Sequence, residues 1–468
     1  MNTIKFGTDG WRAIIAKEYT FNNVAVVTQA TARWIVDEEI SENGVVIGYD
    51  TRFLGREFAE HAASVFAAMD IPVRIANGIA PTPAVSWGAS HYNAVGIVIT
   101  ASHNPPQYNG YKIKAPFGGP ASPDHIDAME QRYNEFDESL RPEAYATYVK
   151  SGQIREISLT DQYLDVIREK IDIEAIRKSG MRIGHDPMYG SGIGLVKKLL
   201  GSKVYEIHAE LNPSFHGQAP EPIEKNLQEF ARFIPDSNCQ LGIANDGDAD
   251  RVGLFDENGS FVNSHLVLSL LVKYLSQEKG FTGSIVKTFS TTNMLDRQAE
   301  AYGLPIEVTP IGFKYIAEKI VDGDVLVGGE ESGGLAVKGH IPERDGIFIG
   351  LLIAEMMVQS GKKLSELVQE LYDEFGMHAT FRNDLHTEDR KKHAMMEHCS
   401  NRQVTELAGL KVTDWQFTDG VKHILDDGSW LLVRPSGTEP VLRIYSEADS
   451  EEQAQKLVAE ASDLAESM

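Results

Sequence analysis

Ser102 and His103 stand where an apolar run stops. Residues 94–100, AVGIVIT, read as a buried strand, and the run ends at Ala101-Ser102-His103-Asn104-Pro105-Pro106. Two prolines and an asparagine neither extend a strand nor suit a helix interior, so the serine is expected on a loop at a strand's end. The chain is then expected to turn at Asn109-Gly110 and return as Tyr111-Lys112-Ile113-Lys114. A hydroxyl and an imidazole would sit at the tip of a hairpin-like element with lysines on the returning arm. Open α/β sheets place chemistry at such strand ends. Taken alone, the pair also reads as an ordinary polar loop.

Asp246, Asp248 and Asp250 alternate between two apolar runs, in LGIANDGDADRVGLF. Three like charges so close repel one another, and a cation removes that cost. Hard oxygen ligands favour Mg²⁺ or Ca²⁺. The spacing begins like an EF-hand and places Glu257 at the twelfth position, but the sixth is Arg251 where that loop needs glycine. A solvated acidic turn is the other reading. Three aspartates would leave open coordination positions, which a phosphate oxygen can fill.

Four further stretches could contribute chemistry. In Val327-Gly328-Gly329-Glu330-Glu331-Ser332-Gly333-Gly334, glycines let a ligand approach the backbone, and Glu330 and Ser332 alternate toward one side. An acceptor paired with a hydroxyl suits sugar recognition, or the stretch is a plain turn. Arg434-Pro435-Ser436-Gly437-Thr438-Glu439-Pro440 follows an apolar strand and reads either as a phosphate nest or as a hairpin turn, with Arg443 on the next strand. Gly312 and Lys314 stand at a helix start, and Phe6-Gly7-Thr8-Asp9-Gly10-Trp11-Arg12 marks a tight turn followed by an arginine.

The elements that must position these residues are legible in outline. With 468 residues the chain needs about three or four domains. A net charge of −24 argues against a nucleic-acid surface, and an anionic substrate would need locally gathered cations. Cys239 and Cys399 are in no metal-ligand spacing and make a disulfide framework unlooked-for. No apolar run reaches membrane-spanning length and no secretory leader pattern opens the chain, so a cytoplasmic location is expected. Helical period over 24–37, a strand-turn-helix unit over 44–68, a strand at 72–76, a helix opened by Pro81-Thr82-Pro83 and a Ser122-capped helix to 136 make up a first domain, 1–150. Similar strand, polar turn and helix units fill 151–255 and 256–372, the latter with a strand at 284–287 ending on Lys287. The strand-rich 373–468, closed by a helix over 450–466, is expected to be a smaller α+β domain. Gly190-Ser191-Gly192 spells G-x-G-x-G and not a dinucleotide fingerprint; glycines at a strand-to-helix turn explain it.

Taken together and in this order, FGTDGWR, TASHNP, DGDADR, GGEESGG and RPSGTEP closely resemble the α-D-phosphohexomutases, the phosphoglucomutases and phosphomannomutases. The resemblance runs from residue 6 to about 446. It implies three similar mixed-sheet α/β domains and a smaller C-terminal α+β domain around a central cleft, with a hinge near 373 that opens it. It implies that Ser102 is a phosphoserine and that Asp246, Asp248 and Asp250 bind Mg²⁺ together with a phosphoserine oxygen. Arg12, His103, Lys112 and Arg251 match catalytic positions, with the general acid and base to be found among the first three. Lys287, Gly312, Lys314, Glu330, Ser332, Arg434, Ser436, Gly437 and Thr438 match substrate-binding positions. The implied activity interconverts glucose 1-phosphate and glucose 6-phosphate, with glucose 1,6-bisphosphate as intermediate and activator. GEESGG looks more like the phosphoglucomutase loop than like GEMSGH or GEQSGH forms, which favours glucose phosphates, with mannose phosphates as the alternative and amino sugars behind. A hexose phosphate is then the one partner expected, with no nucleic acid and no membrane; monomer and homodimer stay open. A phosphate-ester hydrolase using Ser102, and a silent sugar-phosphate sensor, are the rivals from other classes.

Overall fold

A computed structural model describes residues 4–7, 10–436 and 441–468. It contains four sheets in chain order, and three of them repeat one plan.

In the first sheet the spatial order is Trp11–Ile14, Tyr108–Lys114, Val95–Ile99, Val45–Tyr49, Val73–Ala76, Ile154–Ile157. The last four are parallel, and the first two are antiparallel additions. Val95–Ile99 is buried on both faces because helices cover them, which is why it reads as an unbroken apolar run. The second sheet orders Phe261–Val262, Val252–Phe255, Leu241–Asn245, Ile183–Asp186, Val204–Glu206 and again adds antiparallel strands to a parallel set. The third orders Ile306–Thr309, Ser284–Thr288, Val325–Gly329, Leu335–Val337, with only the last antiparallel.

One consequence unites the three. In each, the last parallel strand ends in a loop and the chain returns antiparallel beside it. Those loops are 100–107, 246–251 and 330–334, which hold Ser102, the three aspartates and Glu330 with Ser332. Each loop thus leaves the carboxyl end of a buried strand, the position at which open α/β sheets bind ligands.

A continuous apolar core joins these domains, from Val46 and Val98 through Leu199 and Ile243 to Leu326 and Ile353. The helix Gly346–Ser360 runs through it, buried from Gly346 to Met357 and capped by the Asp345 carboxylate, which accepts from Phe348 N at 2.9 Å. The fourth domain is an antiparallel sheet, ordered Ala379–His386, Val441–Ala448, Trp430–Pro435, Val421–Leu425, Leu410–Gln416, Glu406–Leu407. Helices Asp389–Ser400 and Glu451–Ser467 pack on it around a separate core of Leu431, Val433, Ile444 and Leu457. Its other face meets the third domain through a small cluster of Phe289, Trp430, Leu432 and Tyr445.

Two local expectations change. Asn109-Gly110 is not a turn: both lie inside the strand Tyr108–Lys114, paired with Ala13 and Arg12. Gly110 is needed for close approach, since a Cβ there would come within 2.4 Å of the Thr100 carbonyl and 2.8 Å of the Trp11 carbonyl. Boundaries at 150 and 255 fall short of the strands Ile154–Ile157 and Phe261–Val262 that close the first two sheets, and 372 falls inside the helix Leu364–Phe375. These edge strands are short, and the first is largely exposed, so they carry little apolar signal. Among the described residues no helix is long and apolar enough to cross a membrane.

Candidate active site

Ser102 is 1% exposed and sits at φ +50°, a left-handed conformation costly for a residue with a Cβ. Arg52 holds it there. Its guanidinium donates to the carbonyls of Ser102 (2.7 Å), Asn104 (2.6 Å), Pro105 (2.9 Å) and Tyr108 (2.9 Å), so one buried side chain satisfies the whole loop. Asp50 lies 3.3 Å from Arg52 and accepts from Thr100 Oγ1 at 2.5 Å. Burial pushes the Asp50 carboxyl up to about 6, against the pull of Arg52 and Thr100.

Across the domain boundary, Ser102 Oγ donates to Asp246 Oδ2 at 2.7 Å and lies 3.2 Å from His103 Nδ1. Gly247 makes this approach feasible: a Cβ there would fall 2.4 Å from the Ser102 carbonyl. Gly190 supports the aspartate loop from behind, where a Cβ would meet the Gly247 and Asp246 carbonyls at 2.7 and 2.8 Å, and Ser191 N donates to Gly247 O at 2.9 Å. The Gly190-Ser191-Gly192 stretch is therefore a buttress for the aspartate loop.

The three aspartates are fully buried, and one carboxylate oxygen from each lies within 4.8 Å of the others. Asp248 accepts from Thr82 Oγ1 at 2.5 Å and Lys112 Nζ at 2.8 Å. Asp250 accepts from Lys112 at 3.2 Å and faces Arg344 at 2.8 Å. Burial and repulsion from its two neighbours push Asp246 well above the usual carboxylate range. Burial acts on Asp248 in the same sense, but the Lys112 ammonium overrides it and holds that group low. Asp248 Oδ1 and Asp250 Oδ1 are buried without a hydrogen-bond partner among the described residues. A buried carboxylate oxygen left without a donor is costly, and hard anionic oxygens converging on one point suit a hard divalent cation.

Cations gather around this surplus of acid. Arg12 donates to Asn104 Oδ1 at 2.8 Å on the rim of the serine loop. Arg251 lies 4.0 Å from Asp250 and 3.9 Å from Glu221. Burial, together with Arg251 and Arg12, drives the His103 imidazole well below its ordinary range, so it is neutral at pH 7.

The sugar-loop candidates adjoin the aspartate loop directly. Arg251 and Gly334 form a β-bridge, and Val252 N donates to Gly333 O at 3.1 Å. Gly333 has φ +89°, and a Cβ there would meet Val252 O at 2.8 Å. Glu330 is buried, lies 3.8 Å from Arg344 and 3.5 Å from Ser332 Oγ, and burial raises it to about 7 despite that arginine. Arg344 thus reaches both Asp250 and Glu330.

The fourth domain supplies the last wall. Arg434 donates to Asp419 Oδ1 at 2.8 Å, and Asp419 Oδ2 accepts from Ile311 N at 3.0 Å. Through Asp419, Arg434 is tied to the loop that begins the helix Phe313–Asp322, where Gly312 takes φ +141° and Lys314 follows. Lys314 makes no hydrogen bond or ion pair among the described residues and lies 5.1 Å from the Tyr315 ring. Arg443 pairs with Arg434 across the sheet, and Arg382 lies 3.9 Å from Glu331, so three arginines gather at the edge facing the sugar loop. An acidic chain gathers positive charge here. Ser436 ends the described part of this loop; Gly437 and Thr438, like Thr8 and Asp9, lie outside the described residues.

Lys287 is the exception. It is buried, donates to Thr292 O at 2.9 Å and to Asp296, and lines a separate cavity between the third and fourth domains. Strand alternation puts it on the face of Ile285, toward the helix Met294–Tyr302. Residues that the motif reading passed over are Arg52, Thr82, Arg344 and Asp419. Arg344, in Glu343-Arg344-Asp345, follows the sugar loop closely enough that its charge run was a signal; the others resemble ordinary turn and helix-start residues.

Four family models match in order: phosphoglucomutase/phosphomannomutase alpha/beta/alpha domain I over residues 3–139, domain II over 161–259, domain III over 263–375, and the C-terminal domain over 388–464. The chain is 35% identical to the phosphoglucomutase/phosphomannomutase of Thermococcus kodakarensis over 96% of both chains. It is 30% identical to the phosphoglucosamine/phosphogalactosamine mutase of Sulfurisphaera tokodaii over 97% of both. A crystal structure from Thermus thermophilus, provisionally named phosphomannomutase, superposes with a TM-score of 0.87 at 36% identity, covering 99% of each chain.

Proposed function

The chain belongs to the phosphoglucomutase/phosphomannomutase family of phosphohexomutases, and from that premise we propose that it interconverts α-D-glucose 1-phosphate and glucose 6-phosphate through phospho-Ser102. The observation that carries this reading is the 2.7 Å approach of Ser102 Oγ to Asp246, between residues 144 positions apart. A nucleophilic hydroxyl, three carboxylates and a ring of cations meet at one point, which phosphoryl transfer requires.

In the forward direction the bond from phosphorus to Ser102 Oγ breaks and a bond to the free sugar hydroxyl oxygen forms. The hydroxyl proton leaves to a base, and His103 is the candidate within hydrogen-bond distance of Oγ. Lys112 is engaged with Asp248 and Asp250, and Arg12 with Asn104, which suits both for holding charge. Glucose 1,6-bisphosphate then turns over, and its other phosphate returns to Ser102. Glu330 and Ser332 offer hydrogen bonds to sugar hydroxyls in either orientation. Arg434, Ser436, Gly437, Thr438 and Lys314 are assigned to the distal phosphate, so their contacts must be indifferent to which end of the sugar it decorates. Asp246, Asp248 and Asp250 would hold Mg²⁺, which when bound neutralises charge on a phosphoserine oxygen and on the transferring group. Two buried free cysteines suit a reducing cytoplasm.

Mannose 1-phosphate is the second reading, supported by the name of the Thermus thermophilus relative. Steady-state rates with glucose, mannose and glucosamine 1-phosphates, each with catalytic bisphosphate, decide between them. The expected order is glucose, mannose, glucosamine in kcat/KM; a preference for glucosamine 1-phosphate would overturn the assignment. Release of free phosphate at the rate of isomerisation would point to hydrolysis.

A further inference from the structure

A cavity of about 490 Å³ lies between the third and fourth domains. Its wall includes Ser429, which precedes the strand Trp430–Pro435, and Glu447, near the end of Val441–Ala448. The phosphate-loop residue Ser436 follows the opposite end of that strand. A six-residue strand spans about 20 Å, so the cavity stands apart from the cleft.

Lys422 projects into this cavity from the strand Val421–Leu425. It is 4% exposed. Its Nζ lies 4.1 Å from the Trp430 ring centroid and 4.5 Å from that of Phe289, and among the described residues it makes no hydrogen bond or ion pair. Two rings above an ammonium recover part of its lost hydration, but they supply no counter-charge.

The acids around it are already engaged or solvated. Asp296 is bonded to Lys287. Glu447 accepts from His378 Nδ1 at 3.0 Å, Asn293 N at 3.0 Å and Trp430 Nε1 at 3.2 Å. Asp414, Asp427 and Asp449 are exposed at the mouth, where water screens them, and Arg297 adds a second cation to the wall beside Lys287. Lys422 is therefore the one ammonium at the deep end without a direct carboxylate partner among the described residues. Val308, Met377 and Ile424 make the adjoining surface apolar.

We propose that this cavity is a second, non-catalytic binding site for a small organic oxyanion, a phosphate ester or carboxylate, whose charged end pairs with Lys422. An occupant seated there would bridge the fourth-domain sheet to the helix Met294–Tyr302 and so bear on how firmly the fourth domain docks. Burial, then the Lys287 ammonium, lowers Lys422 to about 7, while Glu447 and Asp296 oppose this. Binding an anion favours the ammonium, so occupancy near pH 7.5 should take up protons.

Calorimetric titration with inorganic phosphate tests the proposal on the full chain. Wild-type protein should show a second class of site beyond the cleft, with proton uptake revealed by buffers of different ionisation enthalpy. Lys422→Met, which keeps the length and removes the charge, should lose that class and keep the other. Superimposable wild-type and K422M isotherms would overturn the site. Should K422M fail to fold, Lys422→Arg keeps a cation that does not titrate: phosphate should still bind, with the uptake gone, and unchanged uptake would equally overturn it. The measurement needs no turnover, so its failure leaves the mutase reading untouched and the reverse also holds.

Discussion

Buried charge is arranged in opposite senses at the Ser102 cleft and at the junction of the third and fourth domains. In the cleft, three fully buried aspartates crowd together, and two of their oxygens have no hydrogen-bond donor among the described residues. At the junction, Lys422 has no direct carboxylate partner among the described residues, and Asp296 and Glu447 are bonded to other groups. On the readings proposed above, the first region would receive a cation and the second an anion. Their mechanical settings differ as well. The cleft loops rise from domains that share one apolar core, whereas the fourth domain has a core of its own. It meets the third through the cluster of Phe289, Trp430, Leu432 and Tyr445 and through polar ties such as Glu447 to Asn293 N and Asp419 to Ile311 N. A reacting centre needs alignment well under 1 Å, and the proposed reaction, in which a bisphosphate turns in the cleft, would need one wall able to move. The two demands fall on different parts of the molecule.

The sharpest way to break this contrast is at the serine. Ser102→Ala should reduce mutase turnover by about 10⁴-fold or more while leaving the circular dichroism spectrum and melting temperature close to wild type. Near-normal turnover in that variant would remove the cleft from the chemistry. Gly247→Ala should come next. Its new Cβ would press on the Ser102 carbonyl, so kcat should fall by about 10²-fold with a smaller change in KM; steady-state kinetics with an unchanged kcat would mean that the two loops do not need their present spacing. Arg52→Leu strips the donors from four loop carbonyls and strands Asp50 in the core. Urea unfolding should record a loss of about 3 kcal/mol.

Glu447 probes the junction by pH. Burial opposes its ionisation, but His378, Thr292 and the Asn293 N–H together hold it down to about 2, from an ordinary 4.5. Its folded-state pKa is depressed, so its contribution is fully present above 4.5 and is lost as pH falls toward 2. That contribution is about 3 kcal/mol. The stability difference between wild type and Glu447→Gln should therefore shrink across that window. A difference independent of pH would show that the anchor works by packing and not by charge.

Much of the site was legible because its loops are written locally. An apolar run meeting Ser-His-Asn-Pro-Pro, Asp-Gly-Asp-Ala-Asp or Gly-Gly-Glu-Glu-Ser marks where a buried strand ends and polar groups begin, whatever the rest of the chain does. Strand and helix placement followed the same logic: helix 24–37 is observed as Phe21–Asp37, the closing helix as Glu451–Ser467, and Ser122 caps a helix with Pro123 at its first position. Edge strands such as Ile154–Ile157 were not legible, because half-exposed backbone pairing leaves little trace in side-chain pattern.

By itself, then, the sequence determined which residues stand at strand ends and, through five motifs in order, the family. Tertiary structure alone decided who meets whom. Arg52 grips a loop fifty residues away, Thr82 reaches Asp248, Asp419 ties Arg434 to the Ile311 backbone, and Lys287 turns to Asp296. Apart from that last short-range bond, these pairings depend on sheet order and on the seams between domains. Such long-range geometry is set by the packing of whole elements, and a local run of residues cannot encode it.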